Sequence, residues 1–270
     1  MLVLIDTSYT SFYRFFATLR WMSMAEPDEY KLYKTDSKYD WSMNTIFMDK
    51  YKKMYLESII KLIKKKQFDK STIIFCMDAP RNTLWRNSLS DNYKSDRADL
   101  SLKNDFKPVF NYTYNTLIPH IIKSHTNIHK MIIDKMEADD IIAAITMQSD
   151  KVIIVSGDND FLQLGREGVK FINYKSKKFI ELDKVEAAKI LENKIIMGDK
   201  SDNISGIFDK KISAAKRKEL LANKKLFEMY LAENPHVKKQ YEMNRMMIDF
   251  NCIPIRYVNK IIREFELINL

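Results

Sequence analysis

KVIIVSGDND, residues 151–160, opens with a short apolar run rich in β-branched residues and closes on two aspartates. Residues 151–155 have the length and composition of a strand buried on both faces, because a half-exposed strand would alternate polar with apolar positions. The same pattern occurs twice more, where LVLI at residues 2–5 runs into Asp6 and STIIFCM at residues 71–77 runs into Asp78. A fourth run, residues 169–173, is followed by YKSKK and by a short apolar stretch at 179–182. Helix-length segments lie between these runs, at residues 42–66, with Ser42 as candidate N-cap, and at residues 112–124. Strands alternating with helices predict an α/β fold with a mostly parallel central sheet flanked by helices.

Ligands of open α/β sheets bind beyond the carboxyl ends of the strands, so Asp6, Asp78, Asp158 and Asp160 are expected in one cleft. MEADDIIAA, residues 136–144, adds Glu137, Asp139 and Asp140 directly before Ile141 and Ile142. Acids also suit the first turn of a helix, where free N–H groups and the macrodipole favour negative charge. Any one of these aspartates could therefore be only a cap, whereas their coincidence at several element ends favours a shared site. Neighbouring carboxylates about 4 Å apart repel by roughly 4 kcal/mol at an effective dielectric near 20, so such a cluster needs cations. Oxygen ligands without nearby His or Cys suit magnesium or manganese rather than zinc. A further block, GDKSDNISGI at residues 198–207, carries Asp199 and Asp202 three apart, facing the same way on a helical turn. Read alone, that block is equally a turn followed by an N-cap.

The 270 residues are 46% hydrophobic and carry a net charge of +9, which excludes disorder as the default and points weakly to a polyanionic partner such as nucleic acid. Cys76 and Cys252 sit in apolar contexts without metal-type spacing, as reduced core residues of an intracellular, cytoplasmic or nuclear, non-secreted protein would. The N-terminus lacks a signal-peptide pattern, and no run approaches a membrane span. His120, His125, His129 and His236 lie away from the acidic blocks. From Asp183, which is spaced as a capping box with Glu186, the pattern turns helical. A boundary near residue 195 is expected, separating an α/β core at 1–195 from a helical region at 196–270. Residues 21–41 read as an irregular surface loop, and residues 80–108 as a charged segment with little apolar periodicity.

Taken together, LIDTS at Asp6, FCMDAP at Asp78, EADD at 137–140, SGDNDFLQL around Asp158 and Asp160, and GDKSDNISG at 198–206 resemble the 5′-nuclease family of flap endonucleases and 5′-3′ exonucleases. YEMNRMMIDFNCIP, nearer the C-terminus, resembles its phage replicative ribonuclease H branch. The resemblance implies a PIN-like fold with two metal groups. One comprises Asp6, Asp78, Glu137 and Asp139, with Asp140 bridging or behind them; the other comprises Asp158, Asp160, Asp199 and Asp202. Two Mg2+ ions are implied, with Mn2+ as a substitute, stabilising the attacking and leaving oxygens of an in-line displacement at phosphorus. Residues two apart in a regular helix point about 200° apart, so Glu137 and Asp139 converge only if a helix begins between them.

RNTLWRNSLSDNYKSDR, residues 81–97, resembles the family's helical arch, within a segment of about 81–108. The resemblance implies that Lys94 and Arg97 bind and polarise the scissile phosphate, with Arg86 a further catalytic candidate and Arg81 and Tyr93 nucleic-acid contacts. With Asp91, Asp96 and Asp99 interleaved, a solvated charged helix is the alternative. Arg14 resembles an arginine that follows the family's first aspartate, offset by one position. Tyr9, Phe12, Tyr13 and Trp85 are candidates for stacking on terminal bases.

The chain departs from the family's flap endonucleases after Gly206. No glycine follows, and FDKKISAAKRKELLANKK stands where they carry a Gly-rich hairpin that grips duplex backbone, often around potassium. Lys210, Lys211, Lys216, Arg217 and Lys218 would then hold duplex phosphates through side chains, or form only a solvated stripe. The implied activity is a divalent-metal-dependent, structure-specific 5′ nuclease acting on flap, nicked or primer-bearing duplexes in DNA replication or repair. Its partner would be DNA, with an RNA–DNA hybrid, a clamp or a single-strand-binding protein as further candidates, and no membrane. The alternatives are a PIN-type ribonuclease cutting single-stranded RNA and a catalytically silent DNA-binding module.

Overall fold

A computed structural model describes residues 1–36, 39–90, 92–94, 106–208 and 212–268. Five parallel strands form one sheet: β1 (Leu2–Asp6), β2 (Thr72–Met77), β3 (Ile128–Ile132), β4 (Val152–Val155) and β5 (Val169–Ile172), in the order β3-β2-β1-β4-β5. β1 is central and fully buried. Alternation along the strands sends Val3, Ile5, Ile73, Phe75, Ile153 and Val155 into one core, and Leu2, Leu4, Ile74, Cys76, Val152 and Ile154 into the other.

The first core is covered by α1 (Thr7–Ala25) and α3 (Thr45–Ile63), and by a helical run that starts as Lys107–Tyr112, passes through a π turn at Thr113–Leu117 and continues as Ile118–Lys123. Pro119 lacks an N–H, which suits a register change at that point. The second core is covered by the helix Ala138–Met147, the 3-10 segment Asn159–Leu164 and the far C-terminal helix Ile255–Ile268.

Four of the strands fall where the sequence pattern places them. β3, an edge strand, was not picked out, because His129 and Lys130 interrupt its apolar run and only Ile128 and Met131 point fully inward. The expected loop at 21–41 is largely helical: α1 continues to Ala25, and α2 (Pro27–Thr35) starts with proline in its first turn. No residue of α2 is buried, so it lacks the apolar stripe by which a helix is recognised. Tyr33 and Tyr39 instead pack on Trp41, which is fully buried. The N-cap of α3 is Asn44, accepting from the Phe47 N–H, whereas Ser42 lies inside the preceding 3-10 turn.

Residue 195 falls inside the helix Lys184–Met197, which begins at the Asp183–Glu186 capping box. Beyond it come helices Ala214–Ala222, Lys224–Glu233, Pro235–Ile248 and Ile255–Ile268. The described residues beyond 195 are largely helical and pack against the sheet and its helices. Ile261, fully buried, packs in one core with Ile141, Ile142 and Met131.

Candidate active site at the carboxyl edge of the sheet

Strand register assembles the first acids. Asp6 pairs with Cys76 and Ile5 with Val155, so Asp78 and Ser156, each just past its strand, flank the end of β1. Ser156 Oγ donates to Asp6 Oδ2 at 2.8 Å, and the Tyr9 N–H donates to Asp6 Oδ1 at 3.0 Å, so Asp6 also caps α1. Ser8 Oγ donates to Asp78 Oδ2 at 2.6 Å and is itself paired with Tyr114 Oη at 2.8 Å. The Ala138 N–H, at the start of its helix, donates to Asp78 Oδ1 at 2.8 Å. Burial pushes the Asp6 carboxyl up to about 7, and the negative charges of Asp78 and Asp158 add to the rise. Burial likewise lifts Asp139 well above the carboxylate range, with Asp158, Asp6 and Glu137 raising it further and Lys94 opposing them. Carboxyls that hold their protons because they are buried beside other carboxyls mark a place where added positive charge would be favoured.

EADD divides into distinct roles. Glu137 is the N-cap, with extended backbone at φ −83° and ψ 159°, so Asp139 in the first turn can share its direction. The helix begins where the convergence of the two requires it. Glu137 Oε2 accepts from Arg86 at 3.0 Å and from Tyr93 Oη at 2.9 Å, while Oε1 faces Lys94 Nζ at 2.6 Å. Burial would raise Glu137, but Lys94 and Arg86 outweigh it and hold the carboxyl below its ordinary value. The same pairing carries Lys94 well above the ordinary lysine range, although burial acts to lower it.

Asp140 does not join the acidic pocket. It is fully buried; its Oδ2 accepts from Trp85 Nε1 at 2.9 Å and the Glu137 N–H at 3.1 Å, and its Oδ1 faces Arg86 at 2.8 Å. Capping and ion pairing engage its oxygens, which sets it behind the other acids, one of the two positions the resemblance implied for it. Arg86 is corrected: 3% exposed, it bonds Glu137, Asp140 and the Met247 carbonyl, and is not presented to a phosphate. Trp85 is buried beneath it and is not available to stack on a base.

Asp160, Asp199 and Asp202 form a second group whose candidate ligand oxygens all lie within 4.8 Å of one another. The turn that brings Asp199 and Asp202 back to Asp160 depends on Gly198, at φ +72°, where a Cβ would lie 2.4 Å from the Ile204 carbonyl oxygen. Asp158 is not part of this trio. It accepts from the Asp160 N–H at 2.9 Å, and its charge is felt at Asp6 and Asp139, which places it between the two groups. Lys194 reaches into the trio, pairing with Asp160 and, at 2.8 Å, with Asp199. On Asp199 burial is outweighed by Lys194 and Ser201, which hold the carboxyl below its ordinary value.

The basic residues fare unevenly. Arg97, Lys210 and Lys211 lie outside the described residues. Residues 81–88 form 3-10 turns packed onto the acidic helix, with Tyr93 and Lys94 buried beyond them, so this half of the expected arch is an anchor. Arg81 is exposed. Arg14 is buried among Tyr13, Tyr51, Tyr55 and Tyr174, which corrects its expected place on a nucleic-acid surface. Lys216 and Lys218 are exposed, Lys216 pairing with Glu219, while Arg217 bonds the Ile212 carbonyl and covers Phe208. Tyr9, Phe12, Tyr13 and Phe16 line an open groove of about 480 Å3 on α1.

Sequence reasoning missed Ser8, Ser156, Tyr114 and Lys194. The two serines sit two residues from a strand-end aspartate, in DTS and SGD, and that spacing was a usable signal. Tyr114 and Lys194 reach the site only through the fold.

A parallel sheet that gathers acids from three strand ends and one helix start at its carboxyl edge defines a PIN-like nuclease. The sequence profile of the 5′-3′ exonuclease N-terminal resolvase-like domain matches residues 1–195, and the chain belongs to this family of 5′ nucleases. It is 26% identical over 235 residues to the ribonuclease H of Enterobacteria phage T4, covering 79% of this chain and 76% of that one. It is 31% identical over 185 residues to a 5′-3′ exonuclease of Mycoplasmopsis pulmonis, covering 65% of this chain and 58% of that protein. A bacteriophage T5 5′-exonuclease structure with bound zinc superposes with a TM-score of 0.62 at 15% identity, covering 99% of this chain and 98% of the other. A T5 flap endonuclease structure with DNA and metal ions gives 0.63 at 15% identity over the same shares; at this identity both likenesses speak to the fold. No helix among the described residues is long and apolar enough to cross a membrane.

Proposed function

We propose that the chain is a divalent-metal-dependent, structure-specific 5′ nuclease that hydrolyses phosphodiesters near the 5′ ends of flap, nicked or primer-bearing duplexes during DNA replication or repair. The observation that carries this reading is the gathering of Asp6, Asp78 and Asp139 at one sheet edge, where burial, with neighbouring carboxylates adding to it, raises Asp6 to about 7 and lifts Asp139 well above the carboxylate range. Hard oxygen donors in that crowding fit Mg2+, with Mn2+ as its substitute, at Asp6, Asp78, Glu137 and Asp139, and at Asp160, Asp199 and Asp202 with Asp158 between. Such ions, when bound, lower the pKa of an attacking water and stabilise the charge that develops at phosphorus.

The chain's own groups orient the rest. Ser8, Ser156 and the Ala138 N–H fix the aspartates, so the acids do not reorganise when the substrate arrives. Lys94, buried beside Glu137 and 3.6 Å from Asp202, stands between the two acidic groups, and its proposed role is to meet the scissile phosphate once its pairing with Glu137 is loosened. Arg86 stays with Glu137 and Asp140 as their permanent counter-charge. DNA is the proposed partner, a reading supported by the T5 flap endonuclease structure with DNA; the T4 relative's name, ribonuclease H, supports RNA primers as further substrates.

The test is to incubate the protein with 5′-flap DNA, nicked duplex, an RNA–DNA hybrid and single-stranded RNA, in magnesium or in chelator, alongside Asp139→Asn. Metal-dependent cutting near the 5′ end of the duplex substrates, lost in Asp139→Asn, is the expected result. Cleavage of single-stranded RNA alone would make the chain a PIN-type ribonuclease instead. Binding without cutting under every condition would make it a silent DNA-binding module.

A further inference from the structure

The two acidic groups differ in how this chain neutralises them. In the first group Lys94 and Arg86 both pair with Glu137, whereas among the described residues no lysine or arginine forms an ion pair with its three aspartates, Asp6, Asp78 and Asp139. The trio of Asp160, Asp199 and Asp202 is different, because Lys194 is directed into it. Lys194 lies in the last turn of the helix Lys184–Met197, where a positive charge is favoured, and the Gly198 turn folds Asp199 back onto it. Its side chain is 21% exposed and those of Asp160 and Asp199 are 17% and 14% exposed, so the contact is only partly screened by solvent.

We propose that Lys194 is a tethered competitor for the divalent ion at Asp160, Asp199 and Asp202, making that group bind metal more weakly than the group at Asp6, Asp78 and Asp139. This rests on the reading above that the trio holds an ion. Lys194 Nζ pairs with Asp160 Oδ1 and Asp199 Oδ2, carboxylates that an ion in the trio would also share, so an ion entering there competes with it for them. An ammonium that stays nearby still repels the newcomer across a few ångströms. Either way the lysine lowers affinity. It also steadies the trio when no ion is bound, so its removal has opposite consequences in chelator and in metal.

Calorimetric titration of the full chain with Mn2+ tests this. In the unaltered protein two binding events of unequal strength are expected, and in Lys194→Met the weaker one should tighten by roughly tenfold or more. Lys194→Arg, which keeps the charge, should leave it weak. Thermal melts supply the second readout: Lys194→Met should melt below the unaltered protein in chelator, and level with it or above it in saturating Mn2+. Lys194→Gln should do the same, and serves if the methionine variant fails to fold. An unchanged or weaker second event in the charge-removing variants, or an equal loss of melting temperature in both conditions, would leave Lys194 as an ordinary structural ion pair and overturn the proposal. Asp199→Asn separates the two claims. If it leaves both binding events intact, the trio is not a metal site and that reading falls, taking the inference with it. If it abolishes one event while Lys194→Met changes nothing, only the inference falls.

Discussion

Asp6 holds its proton to about 7 because burial outweighs the Tyr9 and Ser156 hydrogen bonds, and the charges of Asp78 and Asp158 push in the same direction. A carboxyl raised in the folded state favours folding below its unfolded value near 3.8, and that contribution is lost as pH climbs through the folded value. In chelator, Asp6→Asn should therefore gain melting temperature relative to the unaltered protein as pH rises from about 4 to 7, a trend that paired melts would reveal and a flat difference would refute. Arg86 is the opposite kind of residue, since it already neutralises Glu137 and Asp140 at 3% exposure. Arg86→Leu leaves the buried Asp140 without a cationic partner and should cost about 3–5 kcal/mol in urea unfolding. The strand-end aspartates were legible because an apolar run ending in an acid is a local signal. The split within EADD was not, because Asp140 is diverted by Trp85 and Arg86, both more than fifty positions away. Arg14 illustrates the same limit: its likeness to an arginine that follows the family's first aspartate points to a nucleic-acid contact, and only the fold shows Tyr13, Tyr51, Tyr55 and Tyr174 closing over it.

Elements were readable where burial imposes a period. β1, β2, β4 and β5 are strongly apolar, whereas β3 is an edge strand with polar interruptions and α2 buries nothing. The capping box at Asp183 and Glu186 came straight from spacing, and both reciprocal bonds form. The turn at Gly198 is a sharper constraint, because the left-handed backbone and the Ile204 carbonyl leave no room for a side chain. Gly198→Ala should destabilise the chain by about 1–2 kcal/mol. Because the turn carries Asp199 and Asp202, the variant should also weaken Mn2+ binding at the trio, measurable in the same titration; an unaffected trio would mean that the turn does not set its geometry. The π turn at Thr113–Leu117 is comparable, carrying Tyr114 to Ser8 and Asp78. Its register shift has no signature in the sequence beyond the nearby proline.

At the scale of the whole molecule, the described helices beyond residue 195 pack onto the α/β core. The helix Ile255–Ile268 lies on Ala138–Met147, burying Ile261 completely, with Val258 and Phe265 packed against the same core. Arg86 is held by the Met247 carbonyl, and Gln163 exchanges hydrogen bonds with the backbone of Ile248 and Phe250. A chain ending after residue 254 should therefore bind hydrophobic dyes, melt without cooperativity and fail to cut; a well-folded, active product would show the core to be self-sufficient. The sequence pattern announced helices there but not their destination, since an amphipathic stripe names a face without naming its partner. The docking of Ile261 also bears on how the protein is made. The acidic helix emerges from the ribosome more than a hundred residues before the segment that roofs it, so its apolar back stays open during much of synthesis.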